Sequence, residues 1–255
     1  MINKQTLVAI AGLTLAPFVS ADMAGIEVGA YQWTPDYSGT IKSDSTAAAI
    51  DAIDIQDSLG FTDDTHNIIW ASLEHPVPVI PNIKIVSSDL NSTASNVLTE
   101  QIEFEGEVFS ASETVDTVID LSNIEYTLYY ELLDNWINLD GGITIRDYDG
   151  VVSLNTDPAG SNIDAHQSLN FMIPLIYVKG RVDLPFTGFF VDGEINIISI
   201  DGNSLSDTAF SVGYESEIGL GAKAGFRTFS MDVDESDLLA DVEFKGAYIS
   251  AFFHF

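Results

Sequence analysis

Apolar and polar residues alternate with a period of two along most of the chain after its first twenty residues. Between residues 136 and 148, Ile143 and Ile145 would lie on one face of an extended strand, and Thr144 and Arg146 on the other. Such alternation, interrupted by Gly, Pro, Asn and Asp, is typical of β-strands. It predicts about ten strands, near residues 25–35, 65–74, 82–91, 116–132, 136–152, 168–184, 188–199, 207–217, 220–232 and 240–255.

The alternation does not by itself orient these strands. A soluble barrel turns its apolar residues inward, whereas a membrane barrel turns them outward to lipid. The last alternating segment, 247–255, ends on Phe255, and a terminal aromatic residue suits a closing strand at a membrane interface. We therefore predict an all-β fold, an antiparallel transmembrane β-barrel of about ten strands, with eight or twelve as alternatives. Phe253 and Phe255 would be the assembly signal that the barrel-assembly machinery reads.

The amino-terminal segment has the pattern of a secretory signal peptide. Lys4 precedes the apolar run Leu7–Leu15, and the run is followed by Pro17 and by small residues up to Ala21. We expect a signal peptide at 1–21, cleaved after Ala21, and a barrel at 22–255 in the outer membrane of a Gram-negative-type envelope.

The connections between the predicted strands alternate between short and long. Short periplasmic turns and longer extracellular loops are the usual asymmetry, and an even strand count puts both termini in the periplasm. The loops would be 36–64, 92–115 and 153–167, with an extra hairpin within 97–109.

The chain carries 39 acidic and 9 basic residues, a net charge of −30, which disfavours nucleic acid as a partner. The bases fall mostly on predicted strands, Lys84 and Lys245 among them, where we expect them on the polar face; Lys42 would lie in a loop. Because lipid disfavours charge, these bases predict a charge network in the lumen with nearby acids. Its expected members are Arg146, Arg181, Lys179, Lys223, Arg227, Asp140, Asp192, Glu194 and Glu215.

Acidic residues also collect in the predicted loops. Asp232, Asp234, Glu235 and Asp237 could ligate a hard divalent cation such as calcium, but the EF-hand pattern is absent, and a solvated acidic rim is the simpler interpretation. No cofactor is predicted. The chain has no cysteine, so disulfides and thiolate metal sites are excluded.

The sequence contains no Gly-rich phosphate loop, GxSxG or HExxH motif. His66 follows Asp63 and Asp64, and His166 follows Asp164, so an Asp–His pair at the outer rim leaves an outer-rim enzyme open as an alternative. The preferred interpretation is a non-enzymatic outer-membrane barrel, either structural or a narrow, porin-like pore for small solutes. A soluble β-barrel that binds an apolar ligand is the third alternative.

Three segments and the chain end resemble a known family. They are Leu73-Glu74-His75-Pro76-Val77-Pro78, Leu133-Asp134-Asn135-Trp136, Asp183-Leu184-Pro185-Phe186-Thr187-Gly188 and Phe253-His254-Phe255. They resemble small outer-membrane β-barrel proteins associated with GlyGly-type carboxy-terminal sorting systems. The resemblance implies a signal peptide, a barrel and residence in the outer membrane with lipid as partner, and it implies no activity. The chain lacks a GlyGly sorting tail of its own.

Overall fold

The computed structural model describes residues 25–43, 52–77, 79–134, 136–156, 162–234 and 238–255. The predicted signal peptide and its cleavage after Ala21 lie outside these residues. The strands within them are β1 Gly25–Ser43, β2 Ile53–Asp54, β3 His66–Glu74, β4 Asn82–Asp89, β5 Asn91–Val97, β6 Ile102–Phe104, β7 Glu107–Phe109, β8 Thr114–Asp120, β9 Asn123–Leu133, β10 Ile137–Thr156, β11 Asp164–Asp183, β12 Phe189–Ile200, β13 Asn203–Glu215, β14 Leu220–Asp234 and β15 Leu238–His254.

The strands form a closed antiparallel β-barrel, which confirms the predicted fold class. β1 pairs with both β15 and β3, so the first and last strands close the wall. β4 with β5, and β8 with β9, each form one long strand that is interrupted by one or two residues, which gives a barrel of ten strands. Because every wall strand has two neighbours, the barrel has no open edge. Among the described residues, no helix is long and apolar enough to cross a membrane.

We call the two ends of the barrel the turn end and the loop end. The turn end carries Gly25, Phe255 and the short connections, such as 184–188 and 216–219. The loop end carries the longer connections and the hairpin formed by β6 and β7, which confirms the extra hairpin predicted within 97–109.

Several strands continue well beyond their predicted ends, and the predicted loop boundaries were wrong there. β1 extends to Ser43, so Lys42 lies on a strand and not in a loop. β5 and the start of β8 fall inside the predicted loop 92–115, and β10 and β11 shorten the predicted loop 153–167. Each extension pairs with a neighbour that satisfies its backbone polar groups, so even acidic segments remain extended.

The outward face near the turn end is an apolar belt. The side chains there are exposed on the barrel surface although they are large and apolar. They include Val28, Ile69, Ile85, Tyr126, Leu128, Ile143, Ile176, Phe210, Val212, Phe226 and Ile249. Most inward residues at the same level are polar or charged, and we call this part of the barrel the belt region.

Both faces change polarity toward the loop end, in what we call the collar region. On β14, the outward residue Phe226 is apolar and the inward residue Arg227 is charged. Further along the same strand, the inward residue Phe229 is apolar and the outward residue Ser230 is polar. Most outward residues of the collar are polar, and its inward residues form a buried apolar core. This core includes Trp33, Tyr37, Tyr148, Leu154, Leu205, Phe229, Val242 and Phe244. The expectation of a polar lumen therefore fails in the collar, because the wall there is lined outside by polar groups and its apolar residues pack inside.

A cap covers the loop end of this apolar core. It consists of residues 52–61 and 98–113, which include the β6–β7 hairpin. Ile55 and Leu59 in the first segment, and Phe104 and Phe109 in the second, are at most 2% exposed and belong to the same core. The cap therefore closes the interior of the collar with side chains that pack against the wall.

Glycines on the inner wall of the belt region make room for aromatic rings. A Cβ atom on Gly213 would lie within 2.2 Å of the Phe190 ring, and one on Gly221 within 2.1 Å of the Phe252 ring. The two rings lie 6.0 Å apart, and they narrow the lumen near the turn end.

Candidate functional site

Four charged residues meet where the belt and collar regions join, and we call them the boundary cluster: Glu125, Arg146, Asp207 and Arg227. Arg146 Nη2 lies 2.8 Å from Glu125 Oε1 and 2.7 Å from Asp207 Oδ2. Arg227 donates to both carboxylate oxygens of Asp207, at 2.9 and 2.6 Å. All four side chains are almost fully buried. Buried charges require such mutual pairing, so the cluster holds β9, β10, β13 and β14 together across the lumen.

Aromatic rings cover the collar side of this cluster. The Arg227 guanidinium lies 4.6 Å from the Trp33 ring centre and donates to the Tyr31 hydroxyl at 2.8 Å. The Arg146 guanidinium lies 5.9 Å from the Phe229 ring centre. Cations over aromatic faces are stabilised electrostatically when they are desolvated, so the arginines join a charged lumen to an apolar core.

Nearer the turn end, the lumen holds three further groups of ion pairs. Lys84 Nζ lies 2.6 Å from Glu194, and Lys223 Nζ lies 2.7 Å from Asp192, whose other oxygen accepts a short hydrogen bond from Ser211. Arg181 bridges Asp183 and Glu215 at 2.8 and 2.7 Å and lies 3.8 Å from the Phe190 ring centre. Glu215 also lies 3.2 Å from His254 Nδ1.

An internal cavity of about 80 Å³ lies among these pairs. Six of the chain's nine Lys and Arg residues line it, although acids outnumber bases fourfold in the sequence. The side chains of Lys84 and Glu194 are 14% and 26% exposed, whereas Arg146 is 1% exposed. Water therefore reaches the cavity but not the boundary cluster, and it must enter from the turn end because the collar core is buried.

The structure places all nine residues of the expected lumen network on the inner wall, but it pairs them unevenly. Arg146, Arg181, Lys223, Arg227, Asp192, Glu194 and Glu215 take part in the ion pairs above. Asp140 on β10 and Lys179 on β11 are cross-strand neighbours, and neither has an ion pair within 4 Å among the described residues.

Sequence reasoning missed Asp207, the acid that joins the two arginines. It stands at the predicted start of its strand, where small residues obscure the alternation. Counting back in steps of two from Ser211, which lies on the opposite face from the outward Phe210 and Val212, would have placed Asp207 on the inner wall.

Lys245 was expected on the polar inner face, but it is outward and exposed, paired with Glu243 at 2.9 Å. In the collar the outer face is the polar one, so a polar residue on a strand there indicates the outer surface and not the lumen.

The two Asp–His candidates differ in their surroundings. His166 is exposed and lies 3.9 Å from Asp164. His66 is buried in the collar, where its Nε2 atom lies 2.5 Å from the Tyr37 hydroxyl and 3.3 Å from Ser92 Oγ. Burial lowers the pKa of His66, and it raises the pKa of Tyr37 to about 12. His66 is therefore a neutral core residue and not a rim residue open to a substrate.

The candidate cation ligands lie at the loop end. Asp232 and Asp234 are exposed on β14, and Glu235 and Asp237 lie outside the described residues. Within the described ranges, no group of three or more His, Asp or Glu side chains is arranged to hold a metal ion.

Phe253 and Phe255 lie outward at the turn end with their ring centres 5.0 Å apart. Phe253 pairs with Val28 of β1 and Leu220 of β14, and Phe255 exchanges two backbone hydrogen bonds of 2.9 Å with Ile26. The chain end therefore contributes to barrel closure.

None of the protein-family models matches the chain, and no curated protein sequence matches it. Solved structures do match. The outer-membrane protease OmpT from Escherichia coli is 11% identical with a TM-score of 0.50, over 90% of this chain and 97% of that one. The CymD monoaromatic hydrocarbon channel is 9% identical with a TM-score of 0.38, over 93% and 70% of the two chains. The β-domain of the Bordetella autotransporter BrkA is 10% identical with a TM-score of 0.35, over 91% and 99%. The match to OmpT, together with the closed antiparallel wall, shows that the chain has the fold of an outer-membrane β-barrel.

Proposed function

We propose that the protein is an integral outer-membrane barrel, non-enzymatic and closed at its loop end, with both termini in the periplasm. The observation that carries this proposal is the reversal of polarity between the belt and collar regions. A contiguous apolar surface around a whole barrel is rare on a soluble monomer and suits lipid. The polar outer wall beyond it suits water and lipid headgroups, and this contrast disfavours the soluble alternative.

Closure rests on the apolar core and its cap. Packed side chains such as Phe229 and Phe244 fill the collar, and the boundary cluster lies beneath them. We expect the folded protein in planar bilayers to show no steady ionic conductance. Stable open-channel steps in the wild-type protein would contradict closure and favour the narrow-pore alternative.

Orientation can be tested because the chain has no cysteine. Asp232→Cys places a single thiol at the loop end, and Glu217→Cys places one at the turn end. On intact cells, a membrane-impermeant maleimide should label the first and not the second, whereas both should be labelled after lysis. Labelling of only Glu217→Cys on intact cells would reverse the orientation.

The assembly signal is part of the same proposal. Deleting Phe255 removes two backbone hydrogen bonds to Ile26 and the terminal aromatic ring, so less protein should be inserted and more should accumulate in the periplasm. Asp232→Asn, a substitution of an exposed residue at the loop end, is the control. The LEHPVP and DLPFTG segments support membership of the barrel family associated with GlyGly-type sorting systems.

A further inference from the structure

The lumen cavity contains one pair of opposite charges that do not meet. Of the charged side chains that line it, Lys179 and Glu27 are the two with no ion pair within 4 Å among the described residues. Every other charged lining residue is in an ion pair at 2.6–2.8 Å. Both side chains are only partly buried, so an ammonium and a carboxylate that form no ion pair with another described side chain face the same cavity and are available to the opposite charges of a bound molecule.

These two residues stand on opposite sides of the lumen. Glu27 is on β1 and Lys179 on β11, and five strand steps separate these strands in either direction around the ten-stranded wall. Both side chains nevertheless line the same cavity. The cavity therefore lies between the Lys179 side of the lumen and the Glu27 side.

We infer that this cavity is a binding site for a small zwitterion of amino-acid type. Its carboxylate would contact the Lys179 ammonium, and its ammonium would contact Glu27. Both charges of such a ligand are satisfied and the net charge of the lumen is unchanged, whereas a simple anion or a simple cation would leave one of the two side chains without a partner. A cavity of about 80 Å³ holds roughly five to eight water molecules, which limits the ligand to the size of glycine or its next homologues.

The partial exposure of the side chains along the cavity indicates from which end a ligand enters. The partly exposed Lys84, Glu194 and Lys223 side chains lie along the cavity, and the buried boundary cluster ends it. Entry is therefore from the turn end. The site goes beyond the proposed function, because binding in a detergent micelle depends neither on closure nor on orientation in a membrane.

The test is ligand binding to the folded mature protein in detergent, by saturation-transfer NMR and calorimetry. The probes are glycine, β-alanine and 4-aminobutyrate, a series in which the distance between the two charges grows. One member should bind saturably and at least tenfold more tightly than acetate or methylammonium. No saturable binding by any of the three, or equal binding of acetate, would overturn the inference.

Variants locate the site. Lys179→Gln and Glu27→Gln should each weaken the favoured zwitterion at least tenfold, and Lys245→Gln on the outer surface should not change it. The double exchange Lys179→Glu with Glu27→Lys should restore binding, since a zwitterion can bind in the reverse direction. Folding of each variant is checked by its heat-modifiable electrophoretic mobility. If Lys179→Gln does not fold, the binding measured with Glu27→Gln and with the double exchange tests the assignment of the site. Undiminished binding by folded Glu27→Gln would contradict the assignment.

Discussion

The belt and collar regions are built on the same strands, yet their interiors are opposite. In the belt, Lys84 pairs with Glu194 and Lys223 with Asp192 inside the lumen, while apolar side chains face outward. In the collar, Trp33, Tyr37 and Phe229 form an apolar core while polar side chains face outward. The difference teaches that the medium outside the wall determines what the wall can enclose. Each strand has two faces. Its apolar face is turned outward where lipid surrounds the wall, and its polar face is turned outward where water does.

The two interiors should respond differently to the loss of one side chain, with the largest effect at their junction. Asp207→Ala would leave Arg146 and Arg227 buried with a single remaining acid, Glu125. Breaking a buried ion pair from one side costs about 3–5 kcal/mol, and here Arg227 loses its carboxylate partner while Arg146 loses one of two. Denaturant unfolding in lipid vesicles measures the change. Asp232→Ala, an exposed acid on the adjacent strand, is the control, and equal effects would show that the cluster is not structural.

A large effect is also expected in the collar core. Phe229 is 3% exposed and stacks on Phe244, with ring centres 5.7 Å apart. Phe229→Ala should destabilise the protein by roughly 3–5 kcal/mol through lost burial and the cavity left behind. Phe226→Ala, three residues earlier on the outward face, should cost much less in detergent. A cost for Phe226→Ala as large as that for Phe229→Ala would argue against the two-region description.

The level at which polarity reverses can be located with arginine. Phe226→Arg places a charge on the apolar belt and should cost about 2–4 kcal/mol in lipid if it lies near the midplane. Ser230→Arg lies on the same face of β14, opposite Glu243, and should cost about 0–1 kcal/mol. Refolding yields and unfolding midpoints in vesicles give the comparison. Equal costs would mean that the belt extends further toward the loop end.

The smallest effect concerns pH and is confined to the collar. Burial lowers the pKa of His66, so the unfolded chain binds a proton there more readily than the folded protein. Stability should therefore fall as pH drops through the unfolded value of about 6.5 and stay level above it. His66→Gln should reduce this slope, as measured by unfolding between pH 5 and 8. An unchanged slope would assign the pH dependence to carboxylates elsewhere.

Sequence patterns predicted the wall well and its interior only in part. Alternation around Ile143 and Thr144, or Phe226 and Arg227, reveals the two faces of a strand because side chains alternate strictly along it. The alternation continues through Phe229 and Ser230, but there the inward face is apolar and the outward face is polar. A polar residue therefore indicates the lumen only where lipid lies outside, which is why Lys245 was misplaced.

Partners across the lumen depend on distances that no linear pattern contains. Lys84 on β4 meets Glu194 on β12, and Arg146 on β10 meets Asp207 on β13, although these strands are not neighbours in the wall. Such contacts arise from the curvature of the closed sheet and from the reach of long side chains.

The sequence by itself determined that the chain forms alternating strands, that these close into a membrane-type barrel of about ten strands, and that strand bases such as Arg146 and Arg227 face its interior. Local stereochemistry and the requirement to satisfy every backbone group are enough for those conclusions. Only the tertiary structure decided which charges pair, that Lys179 and Glu27 face one another unpaired, and that the collar is filled with apolar side chains beneath a cap. These features depend on strand tilt, register and closure, which bring residues far apart in sequence to the same level of the barrel.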